Sequence, residues 1–471
     1  MNPRPLFVSN AIPYVNARPH LGFALETVFA DVIARHARLR GRPVCFAGGT
    51  DENSLKNALA AEQAGVPTAE LVERNAAAFQ ALGPALDLSH DVFVRTSVDP
   101  RHRESALDLW HRCEARGDLH RARYRGLYCV GCEAFRDAEE GRCPEHDAPL
   151  EPVDEENWFF RLSRYESVVR ANIERITPSF ARAELLSLLD RGLHDVSVSR
   201  DARRARGTGI AVPGDPGQVI YVWFDALAVY LAGAGDRWAS SERVHVVGKG
   251  VVRFHAALWP AILASAGLPL PDRILVHGYL TVDGKKISKS GVSVDPFALV
   301  DRFGTDAVRH ALVRHVSTTR DGDLDAQRIE AARTADLANG LGNLVGRVTR
   351  LVEQACGGVA PEPGELDEHD RRLLDAAGAL PRRVDEAVDR FALDAASSAV
   401  FELVGEANRY VDRTTPWVVG PSQQGRLAVL VRALRAIAHE LTPFLPATAA
   451  AISARVGERV RHGPPLFPRN G

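Results

Sequence analysis

The chain has 471 residues, 45% hydrophobic and 25% charged, with 58 basic against 60 acidic residues and a formal charge of −2. Those proportions belong to a folded chain of roughly two to four units and exclude a largely disordered protein, a collagen and a disulfide-stapled miniprotein. So close to neutrality, any nucleic-acid partner must be held by local basic patches, because the whole molecule supplies no attracting field.

The first residues carry one charge and run straight into a strand-like segment, without the zones of a signal peptide, so a cytoplasmic protein is expected. Leu6 to Ser9 reads as a buried strand that opens into the loop Asn10–Tyr14. Leu25, Val28, Phe29, Val32, Ile33, His36 and Leu39 recur at three and four, which predicts an amphipathic helix with Gly41 just beyond it. Pro43 to Ala47 reads as a second strand and Gly48 to Asp51 as a loop at its carboxyl end. A strand, a helix and a strand make one crossover of a parallel sheet, and ligands of such sheets lie where Ile12–Tyr14 and Thr50–Asp51 would meet. From Leu119 to Phe160 the pattern changes to short turns, cysteines and charges, as expected of a small inserted module. Val219–Trp223, Val244–Val247 and Ile274–Val276 read as the second half of the sheet. Ala256 to Leu270 is the most apolar stretch, but it holds Pro260 and Pro269 and is too short to span a membrane. Beyond Asp323 the pattern is almost wholly helical, with a surface loop at 357–364.

Of the cysteines at 45, 113, 129, 132, 143 and 356, three cluster within fifteen residues. Cys129-x2-Cys132-x10-Cys143-x2-His146 has the spacing of a closed, structural Zn2+ site on two knuckles, with His146 its softest ligand. His20-Leu21-Gly22 stands at the start of the long helix, where backbone N–H groups and the helix dipole favour a phosphate. A capping or core histidine is the alternative role for His20. Far downstream, Lys285-Lys286-Ile287-Ser288-Lys289-Ser290 puts lysines and hydroxyls on a loop that suits a leaving pyrophosphate, or forms a solvated basic turn.

His20–Phe23 and Lys286–Ser290, in that order, resemble the two signatures of the class I aminoacyl-tRNA synthetases. Ala11–Asn16, Gly49–Glu52, Tyr221–Ala226, Phe254–Pro260 and His277–Tyr279 extend the resemblance to the family's methionine-specific branch. It implies an α/β fold: a Rossmann-type parallel-sheet catalytic domain with an inserted zinc-knuckle module and a C-terminal all-α anticodon-binding bundle. The expected layout is 1–118 and 218–322 for the two catalytic halves, 119–217 for the inserted module and 323–471 for the helical domain. It implies a methionine pocket of Ile12, Tyr14, Asp51, Trp223, Ala226, Tyr230, Val251 and His255. Aromatic walls suit a thioether, and the Asp51 carboxylate suits the substrate ammonium. ATP, carried with Mg2+, would be held by His20, Gly22, Gly248, Lys286, Ser288 and Lys289, with His20, Lys286 and Lys289 catalytic. Asn343 and Arg347 share one helical face and, with Trp417, would read the anticodon of tRNA(Met) by stacking and edge hydrogen bonds.

Four positions depart from the family pattern: Phe23 replaces a histidine, Gly250 an acid expected on the ATP ribose, Asn53-Ser54 a His-Gly pair, and Gly291 follows Ser290. Phe23 cannot donate to a phosphate. The implied activity is activation of methionine with ATP and its transfer to tRNA. Phe23, Asn53 and Gly250 keep two further readings open, a related ligase that acylates a small amine or hydroxylamine, and a non-catalytic methionine or tRNA binder. The chain ends soon after the helical tail, leaving no room for an appended dimerisation domain, so a monomer is expected.

Overall fold

The computed structural model describes residues 4–129, 134–136, 141–143, 148–287 and 294–468. By its contacts the chain divides into two compact units, one of residues 1–19, 44–81 and 90–276, the other of 20–43, 82–89 and 277–471.

The first unit is built on a six-stranded sheet, counted among the described residues, in the order Val92–Arg95, Val44–Thr50, Leu6–Asn10, Glu242–Gly248, Arg273–His277, Ile176–Thr177. Leu6–Asn10 runs parallel to both its neighbours, as Val44–Thr50 does to Val92–Arg95. All five residues of Leu6–Asn10 are buried, the mark of a central strand covered on both faces.

Two expectations are corrected here. Gly48, Gly49 and Thr50 are not loop but strand, paired with Phe93, Val94 and Arg95. A Cβ on Gly48 would lie 2.6 Å from His90 Nε2, and one on Gly49 would lie 2.4 Å from the Val94 carbonyl oxygen. Glycine therefore marks a close approach inside this strand and not its end. Val219–Trp223 is not a strand of the main sheet either. Strand Asp215–Ile220 belongs to a separate three-stranded sheet with Ala211–Val212 and Ser199–Asp201, and a helix starts at Val222.

Among the described residues, the cysteine-bearing stretch forms a four-stranded sheet ordered Ala134–Arg136, Leu119–Cys129, Glu151–Phe160, Val196–Ser197. Along Leu119–Cys129 the odd positions Arg121, Arg123 and Arg125 are exposed, the alternation of a strand with one wet face.

The second unit holds the long helix Leu21–Leu39 and, after Asp323, consecutive helices. Helices Asn343–Cys356, Glu368–Asp389, Leu393–Thr414, Gln423–Leu441 and Pro446–Arg455 pack on one another. Asp367 and Asp370 close a capping box at the start of the second of these, and Gly357 ends the first at φ 59°. No described helix is long and apolar enough to cross a membrane.

One buried ion pair pins this unit. The Arg309 side chain is fully buried, 2.8 Å from Asp31, and donates to the carbonyls of Leu86, Phe444 and Pro443 at 2.9 to 3.0 Å. Burial alone would raise the Asp31 carboxyl, but Arg309, Arg35 and the Ser89 hydrogen bonds hold it below its ordinary value. Arg309→Met removes the charge and strands three carbonyls, and is expected to destabilise the protein by about 3–5 kcal/mol in urea unfolding.

Candidate active site

In the first unit, the loops leaving strands Leu6–Asn10 and Val44–Thr50 meet as the sequence predicts. Tyr14 and Asp51 form a parallel bridge, and the Asp51 N–H donates to the Pro13 carbonyl at 2.9 Å. Asp51 is 3% exposed. Its carboxylate accepts the Asn53 N–H at 3.3 Å, and its carbonyl accepts from Asn57 Nδ2 at 3.2 Å. The missing Cβ of Gly49 leaves room for Ile12, whose Cγ2 would lie 3.2 Å from such an atom.

Trp223 sits in the first turn of its helix and stacks on Phe254 at 3.7 Å and 7°. It meets Tyr14 and His255 edge-on, at 6.5 and 6.2 Å. Its indole Nε1 is buried with no hydrogen-bond partner among the described residues, a donor left over for another molecule. Ala226 and Tyr230 are buried, and Val251 lies on a single turn at Lys249–Val251 directly after Gly248. His255 lies in a short widened helix, Phe254–Leu258. Pro260 has no N–H to give to the carbonyl four residues back, and a widened turn accommodates that loss.

The polar floor has one consistent protonation pattern. The Val251 carbonyl, 3.0 Å from His255 Nδ1, can only accept, so Nδ1 carries the proton and Nε2 accepts from the Tyr230 hydroxyl at 2.7 Å. Behind it, Trp259 Nε1 donates to His245 Nε2 at 3.2 Å, so His245 Nδ1–H donates to Ser9 Oγ at 2.7 Å. Burial pushes the His255 imidazole down to about 4 and the His245 imidazole well below its ordinary value. Both rings are neutral.

Above pH 6.5 neither the folded nor the unfolded chain holds an extra proton on these rings. As the pH falls from 6.5 towards 4 the unfolded chain takes one up at His255 and the folded chain does not. His255 alone therefore withdraws ~3 kcal/mol of stability across that window. The expected result is a urea midpoint that drops from pH 7 to pH 5, with a smaller drop in His255→Gln.

The sequence reading missed the group that steadies the loop after Asp51. Asn53 Nδ2 donates to Asp225 Oδ2 at 2.7 Å, and His102 Nε2 donates to Asp225 Oδ1 at 2.6 Å. His102 and Asp225 are fully buried. No local signal links three residues up to 172 positions apart. Asn53 thus keeps a polar link where the family pattern has histidine. Glu52 is a clamp, held by Arg95 at 2.7 and 3.2 Å and by Thr50 Oγ1 at 2.7 Å. Gly250 is exposed.

Cys129 and Cys143 are each 1% exposed and share one small buried cluster with Leu150. Cys129 ends its strand opposite Ala134. Cys143 sits in a tight turn closed by Cys143 N–H to Ala148 O at 2.8 Å and Leu150 N–H to Gly141 O at 2.9 Å. A buried thiol at a strand end and a second in a tight turn, sharing one cluster, are a donor set that fits zinc. Cys132 and His146 lie outside the described residues.

In the second unit His20 is the N-cap of helix Leu21–Leu39, its Nδ1 accepting the Phe23 N–H at 3.3 Å. That leaves the proton on Nε2 as a donor. A side chain on Gly22 would press on the His20 ring, 3.1 Å from a Cβ there. The cap uses a backbone N–H, so phenylalanine at 23 does not weaken it. Lys286 holds its ammonium 3.5 Å from the Tyr279 ring centroid. Ser288 and Lys289 lie outside the described residues. Glu26 and His277 were also missed. His277 places Nε2 2.9 Å from Glu26 and Nδ1 2.8 Å from the Gly278 carbonyl, which ties the end of its strand to the helix Leu21–Leu39.

The same unit gathers Asn343, Arg347 and Trp417 around a cavity of about 800 Å³. The Arg347 guanidinium lies 5.5 Å from the Trp417 ring centroid and 3.4 Å from Asp412. Trp417 is 47% exposed. Arg350, Arg455 and His462 also line the cavity and were not foreseen. His462 comes from the last described segment, more than a hundred residues from its partners Thr349 and Arg350 at 3.2 and 3.3 Å.

The chain matches the family of class I tRNA synthetases (M) over residues 6–151 and 146–349. It is 38% identical to the methionine–tRNA ligase of Brucella suis over 466 residues, covering 94% of this chain and 90% of that protein. With the methionine–tRNA ligase of Mycobacterium leprae the identity is 39% over 485 residues, at 97% and 90% coverage. Among solved structures, the Mycobacterium tuberculosis methionyl-tRNA synthetase in complex with methionyl-adenylate superposes with a TM-score of 0.90 at 37% identity, over 100% of this chain and 99% of that one.

Proposed function

The chain belongs to the class I tRNA synthetases, in their methionine–tRNA ligase branch, and on that premise we propose which of its own residues carry each step. It is an ATP-dependent aminoacyl-tRNA ligase: the methionine carboxylate attacks the α-phosphate, pyrophosphate leaves, and the terminal ribose of tRNA takes the methionyl group from the adenylate.

The observation that carries the assignment of the amino-acid site is a buried carboxylate, Asp51, in the same unit as an aromatic wall with an unused indole donor. Asp51 takes the substrate ammonium. Ile12, Tyr14, Trp223, Ala226 and Val251 enclose the thioether, and the neutral Tyr230–His255 pair closes the far end without a charge that would repel it. A dry, uncharged end suits a polarizable side chain and penalises a charged one. His20 Nε2–H and the helix start serve a phosphate oxygen. Gly22 and Gly248 let nucleotide approach the backbone, and Lys286, Ser288 and Lys289 take the departing pyrophosphate, with Mg2+ neutralising the phosphates when bound. The 218–322 stretch completes the catalytic domain begun in 1–118. Helical residues 323–471 read the anticodon of tRNA(Met) through Asn343, Arg347 and Trp417. We read the protein as a cytoplasmic monomer.

In 119–217, Cys129, Cys132, Cys143 and His146 would hold a structural zinc, which supplies cross-linking of two turns and no open coordination position. One zinc per chain is the expected content of the purified protein. Cys143→Ala is expected to lose nearly all of it, read by a colorimetric metal assay.

The test is methionylation of tRNA(Met) by purified protein. Acid-precipitable methionyl-tRNA supports the reading. ATP turnover that depends on a small amine or hydroxylamine and leaves tRNA uncharged overturns it.

A further inference from the structure

Helices Glu368–Asp389 and Leu393–Thr414 enclose a second groove, smaller than the cavity around Trp417. It is lined by His369, Arg372, Glu406, Arg409, Tyr410 and Arg413. His369, Arg372, Arg409 and Arg413 are all exposed. Among the described residues, two other arginines of these helices are matched to acids, Arg382 with Glu386 at 3.5 Å and Arg383 with Glu402, while Arg371, outside the groove, is not. Arg372, Arg409 and Arg413 have no carboxylate within salt-bridge distance among the described residues. The Tyr410 hydroxyl, at the base of the groove, is turned to Asp370 at 2.5 Å, so that acid is already engaged.

Arg409 and Arg413 stand four apart and therefore share a face of their helix, while His369 and Arg372 stand three apart on the other. Three unmatched guanidiniums converging on one groove are a ready partner for phosphate oxygens, which they can engage in bidentate fashion. The helix that carries Arg409 and Arg413 also reaches the cavity that the proposed function gives to the anticodon. Asp412, next to Arg413, is the residue that pairs with Arg347, and Trp417 follows Arg413 by four positions.

We propose that this arginine groove binds the sugar–phosphate backbone of tRNA beside the anticodon, adding affinity without reading sequence. The proposal rests on the reading of the neighbouring cavity as the anticodon site. Backbone contacts of this kind position a nucleic acid and carry no base information, so their loss weakens every sequence alike.

The experiment measures dissociation constants of the full chain for tRNA(Met) and for the same tRNA with an altered anticodon, across a series of salt concentrations. The wild type is compared with Arg372→Gln/Arg409→Gln/Arg413→Gln and with the triple Arg→Lys variant. The glutamine triple is expected to bind both tRNAs more weakly by the same factor. Its slope of log affinity against log salt should be shallower by about 2 to 3. The lysine triple should recover most of the slope, which a folding defect would not allow. An unchanged slope and affinity in the glutamine triple overturns the groove. So does a loss confined to the cognate tRNA, which would make these arginines readers of bases. A wild type indifferent to the anticodon change would sink the anticodon reading instead, and the groove would still be judged on the slope.

Discussion

Asp51→Asn is expected to lower kcat/KM for methionine in ATP–pyrophosphate exchange by about 10²–10³, carried mostly by a rise in KM. The carboxylate is 3% exposed, and its backbone is fixed on both sides, by Asp51 N–H to Pro13 and by Asn57 to the Asp51 carbonyl. Asparagine keeps the shape and still accepts the Asn53 N–H, so the fold pays little. What is lost is a charge-assisted bond to an ammonium in a dry site, on the order of 3–4 kcal/mol, and each 1.36 kcal/mol is a factor of ten. The ammonium is held alike in the bound amino acid and at the transition state, because it is remote from the reacting carboxylate. Loss of such uniform binding appears in KM. A fall in kcat at unchanged KM would place Asp51 against the reacting phosphate instead.

Trp417→Ala is expected to reduce kcat/KM for tRNA by about 10- to 100-fold, with methionine-dependent pyrophosphate exchange unchanged. A large indole that is 47% exposed contributes little to the core, so its removal leaves the helices standing. It also takes away the ring that Arg347 lies against at 5.5 Å. Stacking of one unpaired base on an aromatic ring is worth about 1–3 kcal/mol. Trp417→Phe should recover part of the loss. Equal losses in exchange and charging would mean that Trp417 supports the fold and not the tRNA.

The parts of this molecule that were legible in the sequence are those written in consecutive residues. The run Leu6–Asn10 and the three-and-four spacing through Leu39 announce a strand and a helix, because burial on one face or on both leaves a periodic trace. What failed was decided by neighbours distant in the chain. Glycines at 48 and 49 read as a loop, yet they are strand residues made necessary by His90 and Val94. The run from Val219 to Trp223 carries strand-forming side chains throughout. Its strand nevertheless starts earlier, at Asp215, through Pro216 and Gly217, and gives way to helix at Val222.

The site shows the same division. Tyr14 and Asp51 could be placed because each lies in the segment that leaves the carboxyl end of a strand of the sheet. The fastening of Asn53 to Asp225 and His102 could not, since hydrogen bonds between buried side chains leave no periodic trace. His462 closes on Thr349 and Arg350 from the far end of the helical region, with nothing in its own neighbourhood to announce it. Phe23 shows the reverse. Its departure from the family pattern was plain in the sequence, while the reason the helix start tolerates it, a cap made by a backbone N–H, needed the structure.

The most direct test of the central claim is ATP–pyrophosphate exchange by the purified chain with each of the twenty amino acids in turn, alongside Lys289→Ala. The expected result is exchange with methionine alone, lost in the lysine variant. Exchange driven by a different amino acid, or none at all from a chain that binds methionine, would contradict it.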